Sequence, residues 1–373
     1  MLDSLSDQVG SMSGIVVAPF EPSAQHSGFR YFFGGHPLPN QESLRAGQAV
    51  LKALSTLLPK SLVIYLISGG GSAVLESPID QELALDEVIA TYRALVLSGA
   101  PIAEINAIRK HLSALKGGRM ALAADAAGAA QQVSLMVSDV PEDALDSLAS
   151  GPTMPDSSTV AQCYAIADKH HLLSQFPADV RELFEQRALE ETPKVGDACF
   201  AHTRWWPLLS NTTAQKAAAE AASRAGFAVE IDNSCDDWDY ANAADYLLGR
   251  LRALRQGVSR ICLISGGEIT VKVEGSEGIG GRNQQFALYS GQKIAGQNIS
   301  VLSAGTDGID GNSPAAGAIA DGTTVARARS AKLDPAAALS RFDAFPLFER
   351  LGDAVITGPT GNNIRDLRIL LAY

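Results

Sequence analysis

The chain has 373 residues, of which 46% are hydrophobic and 19% charged, a composition typical of a globular protein with about two domains. Its formal net charge of −11 excludes a general nucleic-acid or anionic-membrane binder, because such partners require a broad basic surface. The four cysteines are far apart and form no C-x-x-C pair, so neither a zinc knuckle nor a redox motif is expected.

The N-terminal stretch MLDSLSDQVG has no basic region followed by an apolar segment, as a secretory signal would. The longest apolar runs are far shorter than the roughly 18 residues needed to span a bilayer. We therefore expect a cytoplasmic protein, either a monomer or a homodimer, that binds small molecules and neither nucleic acid nor membrane.

Short apolar or β-branched runs alternate with helical patterns along the chain, which predicts an α/β fold with largely parallel sheet. The predicted strands cover residues 14–18, 62–67, 132–137, 227–231, 260–265, 299–304 and 353–357. The predicted helices include residues 42–58, 84–99 and 211–226. The third helix starts on an Asn/Thr cap and stops at Gly226, directly before a strand, so a β-α-β unit is predicted to begin near Leu208.

A stretch without clear periodicity, residues 189–207, lies between the two halves of the chain. We interpret it as the domain boundary. The predicted domains are residues 1–206 and 207–373.

Two Ser-Gly-Gly turns directly follow predicted strands, in LISGGGS (66–72) and LISGGE (263–268). Ligands of an open parallel sheet collect at the carboxyl ends of its strands, where consecutive backbone amides can bind an anion. A tight turn is the alternative interpretation of each loop. Neither is a Walker A loop, because the pattern G-x-x-x-x-G-K-[ST] is absent from the sequence.

A further glycine pair, Gly280-Gly281, precedes Arg282 and Asn283 at the start of a helical run. Glycines at a helix start leave its N–H groups open to an anion, and a guanidinium fork suits phosphate or carboxylate. The alternative is an exposed arginine that only caps the helix.

Acidic and hydroxyl side chains follow other predicted strands. Asp307 and Asp310 come after the strand 299–304 and suit Mg²⁺ binding or deprotonation of a hydroxyl, although Asp-Gly pairs are also common in turns. Two GPT turns, in residues 138–159 and 357–367, combine a rigid proline with hydroxyl and amide groups before a probable helix, which is also consistent with simple capping.

A basic block interrupts this acidic chain, because residues 108–119 contain no carboxylate. Its cationic side chains and imidazole are those of Arg109, Lys110, His111, Lys116 and Arg119. Together with the pair Gly117-Gly118, they are predicted to hold a small molecule with several negative charges. The alternative is a solvated basic face of a helix.

Taken together, these segments resemble the glycerate 2-kinases that carry a C-terminal MOFRL domain. The motifs that carry the resemblance, in the family's order, are LISGGGSAVLESP, LSGAPIAEINAIRKHLSALKGGRMA, VSDVPEDALDSLASGPTMPDSST, LISGGEITVKVEG, GIGGRNQQFAL, SAGTDGIDGNSPAAGAIADG and TGPTGNNIRDL. The resemblance implies a Rossmann-like first domain with largely parallel sheet, a second α/β domain with the MOFRL region at about residues 258–370, and an active site in the cleft between them. It also implies ATP-dependent, Mg²⁺-assisted transfer of the γ-phosphoryl group to the 2-hydroxyl of D-glycerate, giving 2-phosphoglycerate.

Motif position and charge then assign roles within this resemblance. The predicted substrate or phosphate contacts are Ser68, Gly69, Gly70, Gly71, Ser72, Asn106, Arg109, Lys110, Lys116, Gly117, Gly118, Gly280, Gly281 and Asn283. Arg282 is predicted to steady the transferring phosphoryl group, so its replacement by alanine should lower kcat far more than it disturbs folding. Asp307 is the candidate for metal binding or for orienting the hydroxyl, with Asp139 as a second metal carboxylate.

One departure from the family pattern lies at the N-terminus. Family members begin with a strand and a GKAA-type turn, whose lysine is a functional residue, whereas the stretch SDQVGSM offers neither. We expect a gene model that begins downstream of its true start, because an internal strand is costly to omit from a sheet. The alternative is a genuine loss of the strand and the lysine, which would put the activity in doubt.

Two other functions stay open on the sequence. Relatives of the family carry the name hydroxypyruvate reductase, so an NAD(P)H-dependent reductase is one alternative. Against it, no G-x-G-x-x-G fingerprint follows a strand with an acidic residue about 20 positions later. A ligand-binding relative without catalysis is the other alternative, if the short N-terminus is genuine.

Overall fold

The computed structural model describes residues 1–9, 12–273, 275 and 278–373. Residues 10 and 11, which belong to the stretch SDQVGSM, and residue 274, at the end of the motif LISGGEITVKVEG, lie outside the described residues. The strands are β1 (Gly14–Ala18), β2 (Phe29–Phe33), β3 (Leu62–Ile67), β4 (Gln131–Val137), β5 (Thr203–Leu209), β6 (Ala228–Ile231), β7 (Ile261–Gly267), β8 (Ile299–Gly305), β9 (Gly317–Asp321), β10 (Ala354–Val355) and β11 (Asp366–Ala372).

The α-helices are α1 (Leu2–Ser6), α2 (Gln41–Ser55), α3 (Gly71–Val74), α4 (Leu85–Leu97), α5 (Ile102–His111), α6 (Arg119–Ala126), α7 (Val160–Lys169), α8 (Ala178–Glu185), α9 (Asn211–Arg224), α10 (Tyr240–Arg255), α11 (Arg282–Lys293), α12 (Thr324–Ser330), α13 (Pro335–Ser340) and α14 (Ala344–Leu351). Short 3₁₀ segments cover Glu142–Ser150, Leu172–Ser174 and Ala198–Phe200. Within the described ranges, no helix is long and apolar enough to cross a membrane.

The chain divides into two compact units, which are described separately. Unit 1 comprises Met1–Met136 and Glu142–Leu208, and unit 2 comprises Val137–Pro141 and Leu209–Tyr373. The predicted boundary after residue 206 lies two residues from this division. The short segment Val137–Pro141, directly after β4, groups with the second unit.

Unit 1 contains a parallel pair, β1 and β2, and a three-stranded sheet in the order β3-β4-β5, in which β3 and β4 are also parallel. Its largest core is formed by α4, α5, α7 and α8. On α4, Val88, Tyr92 and Leu95 recur at helical spacing and are buried on one face. Helix α5 contacts both α4 and α7, so it is buried on more than one side.

Unit 2 is built on a six-stranded sheet in the order β10-β9-β8-β11-β7-β6. Strands β6 and β7 are parallel, whereas the other pairs are antiparallel. The expectation of parallel pairing does not extend to these strands, because β11, which was not predicted, inserts antiparallel between β7 and β8. Helices α10 and α11 cover the sheet with a core that includes Phe286 and Leu370, both fully buried.

Most of the predicted strands are confirmed, but the predicted β-α-β unit near Leu208 is wrong. Strands β5 and β6, on either side of α9, belong to different sheets. The parallel β-α-β unit of this region is instead β6-α10-β7. The last predicted strand, residues 353–357, shortens to Ala354–Val355, and β2, β5, β9 and β11 were not predicted.

Candidate active site

The ends of three neighbouring strands of unit 2 bring together the charged residues of separate sequence motifs. Asp366, the first residue of β11, is in register with Gly267 at the end of β7 and with Gly305 at the end of β8. Because β11 is antiparallel to both neighbours, its amino end lies at their carboxyl ends, the edge where ligands of α/β sheets collect.

Arg282, the first residue of α11, is held by two carboxylates at this edge. Its Nε and Nη2 donate to the two oxygens of Asp366 at 2.7 and 3.1 Å, and Nη2 also lies 2.9 Å from Oε1 of Glu268. Burial lowers the pKa of Arg282, but the hydrogen bonds and charges of Asp366 and Glu268 outweigh this effect and raise it. The Arg282 side chain is 36% exposed, and within the described ranges its Nη1 has no hydrogen-bond partner.

Glu268 follows the second Ser-Gly-Gly turn directly. Burial raises the pKa of this carboxyl group, and the charge of Asp366 adds to the rise. The charges of Arg282 and Arg365 and the hydrogen bond from Arg282 oppose it. Glu268 is therefore a carboxylate that takes up a proton at a higher pH than an exposed glutamate does.

The second Ser-Gly-Gly turn does not offer the open amides that the sequence predicted. The N–H groups of Gly266, Gly267 and Glu268 donate to side-chain oxygens of Asn233, Asn211 and Asp236, respectively, at 2.8–3.1 Å. A Cβ atom on residue 266 would lie 1.6 Å from Oδ1 of Asn211, so only glycine permits this approach. The turn thus positions Glu268 and does not bind an anion through these amides.

The start of α11 is also occupied by protein groups. Asp310 accepts hydrogen bonds from the backbone N–H groups and side-chain amides of Asn283 and Gln284 at 2.9–3.3 Å. The side-chain oxygen of Asn283 accepts a further hydrogen bond from Ser303, and Asn283 is 1% exposed. Asn283 is therefore buried and hydrogen-bonded within the protein, which disfavours its predicted phosphate contact, although that contact stays a prediction.

The two glycines before Arg282 differ in whether their N–H groups are hydrogen-bonded within the protein. The N–H of Gly280 donates to Oδ1 of Asn312 at 2.9 Å, so it is not free for an anion. The N–H groups of Gly281 and Arg282 have no acceptor among the described residues. Gly281 therefore keeps the predicted opportunity to contact a phosphate, together with the Arg282 backbone.

A second arginine–carboxylate pair lies near Glu268, whose N–H donates to the carboxylate of this pair, Asp236. Arg365 donates through both terminal nitrogens to Asp236, at 2.8 and 2.6 Å. Burial raises the pKa of Asp236, but the hydrogen bonds and charge of Arg365 lower it by more than burial raises it. The pKa of Asp236 therefore lies below its ordinary value. Asp139 lies within the field of Arg365, yet burial dominates and raises the pKa of Asp139.

Asp307 and Asp139 were predicted to bind a metal ion. Oδ1 of Asp307 accepts the N–H of Ile309 at 3.1 Å, and Oδ2 accepts no hydrogen bond from the described residues. In the part of the chain that the structure describes, no group of three or more His, Cys, Asp or Glu side chains is placed to hold a metal. One or two carboxylates nevertheless fit Mg²⁺, which usually takes its other ligands from phosphates and water.

In unit 1, the first Ser-Gly-Gly loop is open. The backbone N–H groups of residues 68–72, which follow β3 and include the first two residues of α3, have no acceptor among the described residues. Gly70 has φ +79°, a conformation that glycine adopts without strain. The Ser72 hydroxyl lies 2.8 Å from that of Ser150, which fixes the far end of the loop. This loop keeps the amide donors that the second Ser-Gly-Gly turn lacks.

The basic block, in contrast, is buried and paired. Lys116 is 1% exposed and donates to Glu76, which also accepts from Tyr92 and Ser113. Lys110 donates to Asp146 and Asp156 at 3.1 and 3.0 Å. Both lysines therefore have carboxylate partners within the protein, which disfavours their predicted anion contacts, although these contacts stay predictions. The alternative of a solvated helix face does not fit α5, which packs between other helices.

The turn Gly117-Gly118 is likewise closed by protein groups. The N–H groups of Gly117 and Gly118 donate to the carbonyl oxygens of Ser150 and Gly151 at 3.0 and 2.7 Å. The N–H of Met120 donates to the carbonyl of Pro152 in the same GPT turn. The two glycines therefore join this turn to the start of α6 and do not present amides to an anion.

Arg109 differs from the two lysines of the basic block. Its guanidinium stacks over the ring of Tyr92, 4.5 Å from the centroid, and has no carboxylate partner among the described residues. Its Nε is buried without a hydrogen bond. Asn106 lies one turn earlier on α5 and is half-buried. Within this block, Arg109 and Asn106 keep the predicted opportunity to bind an anion.

Sequence reasoning missed Glu268, Asp366, Asp236 and Arg365. Glu268 was visible as the residue after the second Ser-Gly-Gly turn, and Arg365 and Asp366 stand in the motif TGPTGNNIRDL. No local pattern showed that β11 runs antiparallel beside β7 and β8, and that pairing is what brings Asp366 to Arg282.

Residues 1–185 match a family described as a domain of unknown function (DUF4147), and residues 261–366 match the MOFRL family. A protein of Agrobacterium vitis, whose name assigns it provisionally as a hydroxypyruvate reductase, is 37% identical over 96% of this chain and 81% of its own length. The D-glycerate 2-kinase of Thermotoga maritima is 36% identical over 95% of this chain and 83% of its own length. A crystal structure of glycerate kinase from the same organism has a TM-score of 0.86 at 33% identity and covers 97% of this chain and 85% of that chain. The predicted α/β fold class is confirmed.

Proposed function

Because the chain belongs to the glycerate 2-kinase family with a MOFRL region, we propose that it transfers the γ-phosphoryl group of ATP to the 2-hydroxyl of D-glycerate, giving 2-phosphoglycerate. The class of enzyme is that of the family, a phosphotransferase. The observation that carries the proposal is Arg282, a guanidinium held by two carboxylates at the strand ends of unit 2, whose Nη1 has no partner among the described residues.

The geometry at Arg282 suits phosphoryl transfer. This reaction depends mainly on positioning and on neutralising the charge of the transferred group. Asp366 fixes the guanidinium plane through two hydrogen bonds, so little reorganisation is needed when Nη1 donates to a phosphoryl oxygen. The amides of Gly281 and Arg282 lie at the same helix start, where they add donors for an anion.

Asp307 and Asp139 are the side chains we propose for Mg²⁺. When bound, the ion would neutralise phosphate charge. The free Oδ2 of Asp307 suits either this contact or a hydrogen bond that orients the substrate hydroxyl.

In unit 1, we assign the open loop 68–72 and the Arg109 guanidinium to the anionic groups of the substrates. Among the residues that the structure describes, the N–H groups of the loop have no acceptors and Arg109 has no carboxylate partner. Both features favour a carboxylate or phosphate over a neutral ligand.

We expect Arg109→Met to raise KM for D-glycerate or ATP by about tenfold or more, because one charge-assisted contact is worth roughly 1.5–3 kcal/mol. Stability should change little, since the stacking on Tyr92 is worth only about 0.5–2 kcal/mol. Steady-state kinetics and thermal unfolding check both points. Arg187→Met is the matched control, because Arg187 stacks on Tyr164 at 5.1 Å outside the motifs. Equal KM values in both variants and the wild type would refute the assignment.

The raised pKa of Glu268 predicts how kcat changes on the acid side of its pH profile. Ionised Glu268 helps to hold Arg282, so kcat should fall as the pH falls through a pKa above the ordinary glutamate value of about 4.3. Protonation of Glu268 does not lower kcat by unfolding the protein. A carboxyl whose folded pKa is raised binds its proton more tightly in the folded state, so protonation in this window adds stability.

The kcat profile of Glu268→Gln, measured over the same pH range, is the control for this prediction. In this variant we expect no fall of kcat on the acid side of the profile, and a kcat below the wild-type value at every pH. Asp139→Asn belongs in the series, because burial also raises the pKa of Asp139. If kcat of Glu268→Gln falls at acid pH as it does in the wild type, Glu268 does not hold Arg282 in the way proposed.

The function itself is tested with purified protein and three assays. Release of ADP that depends on D-glycerate supports the kinase. Oxidation of NADH with hydroxypyruvate, without ADP release, would support a reductase instead. Saturable glycerate binding without turnover in either assay would indicate a ligand-binding relative. A cytoplasmic location and a monomeric or homodimeric state stay predictions, which cell fractionation and light scattering check.

A further inference from the structure

Arg368 in β11 is a buried arginine with an unusual set of partners. It is 0% exposed, and its Nη2 donates to the carbonyl oxygens of Gly266 and, at 3.1 Å, Gly267. Its Nε and Nη1 are buried and make no hydrogen bond. Within the described ranges, no carboxylate lies within ion-pair distance of it. A buried charge without a carboxylate partner is unfavourable for stability, so its position calls for another explanation.

The two carbonyl groups that Arg368 binds belong to the turn that leads to Glu268. The amides of this turn are held from other directions by Asn233, Asn211 and Asp236. Arg368 is therefore the side chain that fixes the carbonyl side of the turn. It lies two residues after Asp366 on the same strand, so side chains of β11 hold both Arg282 and the turn before Glu268.

The charge of Arg368 acts on the surrounding carboxylates. Burial lowers the pKa of Arg368, and the charges of Asp366 and Asp236 oppose this shift. Those carboxylates have arginines of their own as hydrogen-bond partners, Arg282 and Arg365. The charge of Arg368 thus offsets the negative charges of Asp366 and Asp236 and does not compete for the hydrogen bonds that hold Arg282.

We infer that Arg368 is a positioning residue: by holding the carbonyls of Gly266 and Gly267, it keeps Glu268 against Arg282. This inference rests on the proposed phosphoryl transfer. Being fully buried, Arg368 acts through the turn and not on the substrate.

Arg368→Met tests the inference in the full chain. We expect kcat per folded molecule to fall about 10- to 100-fold while KM values stay within about threefold, because a small misplacement of a catalytic group costs about this much. Arg368→Lys keeps a charged donor for the carbonyls and should recover most of the lost kcat. Arg327→Met is the matched control, because Arg327 pairs with Asp353 elsewhere in unit 2. A purely structural role predicts lower thermal stability with unchanged kcat per folded molecule, which would overturn the inference.

A second measurement is independent of turnover. Phenylglyoxal labels accessible arginines, and mass spectrometry gives the rate at Arg282, which is 36% exposed, in contrast to Arg368. We expect faster labelling of Arg282 in Arg368→Met than in the wild type or Arg327→Met. If Arg368→Met does not fold, Arg368→Lys alone should show modestly lower kcat and faster labelling. Wild-type labelling in every folded variant overturns the inference. An inactive wild type would refute the proposed function, while the labelling still decides the positioning role.

Discussion

Replacing Arg282 with alanine is expected to lower kcat by at least about 10²- to 10³-fold, the loss seen when a preorganised transition-state donor is removed. The sequence prediction was that kcat would fall far more than folding is disturbed, and the structure adds a substantial cost to folding. Asp366 has a side chain that is 2% exposed, and Arg282 is its hydrogen-bond donor. Alanine would leave this carboxylate buried and unpaired, at a cost of about 3–5 kcal/mol.

A double variant separates the two effects. Arg282→Met with Asp366→Asn removes the charge of both partners, so the free energy of unfolding should return close to the wild-type value. Turnover should stay at the level of the single variant, because the phosphoryl group still lacks its guanidinium. Denaturant unfolding and kcat, measured on the same preparations, check this. Recovery of kcat to within about tenfold of the wild type would show that Arg282 acts only through folding.

Lys116→Met is expected to destabilise unit 1 by about 3–5 kcal/mol, because it leaves Glu76 charged and buried without its cation. Burial lowers the pKa of Lys116, and the charge and hydrogen bond of Glu76 offset this only in part, so the pKa lies below the ordinary lysine value. Tyr92 and Ser113 also donate to Glu76, which makes this a closed network. The midpoint of urea unfolding measures the effect.

The matched control for Lys116 is the neutral pair Lys116→Met with Glu76→Gln. Glutamine keeps an oxygen for Ser113 and for the Ser77 N–H, and it removes the unpaired charge. The double variant should therefore regain about 1–3 kcal/mol relative to Lys116→Met alone. A stable Lys116→Met with a raised KM for glycerate or ATP would contradict this account and return Lys116 to the anion site that the sequence predicted.

Much of the secondary structure was predictable because the predicted strands are short apolar or β-branched runs that the local sequence reveals. Strand β7, which is buried along its whole length, is an example. Strand β11 was missed because its first half carries Asp366 and Arg368, charges that a local pattern assigns to the surface. Both side chains are buried because their partners, Arg282 and the turn at Gly266, come from distant parts of the chain.

The candidate site was predictable where its chemistry is local. The loop 68–72 was identified from its glycines after a strand and Arg282 from the glycine pair at a helix start, and both have donors without an acceptor among the described residues. The partners of Lys110, Lys116, Gly117 and Gly118 within the protein were not predicted, because charge and glycine content do not reveal tertiary partners. Lys116 is neutralised by Glu76, 40 residues away, and the glycine amides are bound by the turn at Ser150.

The position of the phosphoryl group on the product tests the central proposal most directly. The purified chain is incubated with D-glycerate, ATP and Mg²⁺, and the product is identified by phosphorus NMR and by its direct conversion with enolase, which requires 2-phosphoglycerate. We predict 2-phosphoglycerate in amounts equal to the ADP formed, and at least about 100-fold slower formation with the Arg282→Met, Asp366→Asn variant. Formation of 3-phosphoglycerate, or of no phosphorylated product by the folded wild type, would contradict the proposal.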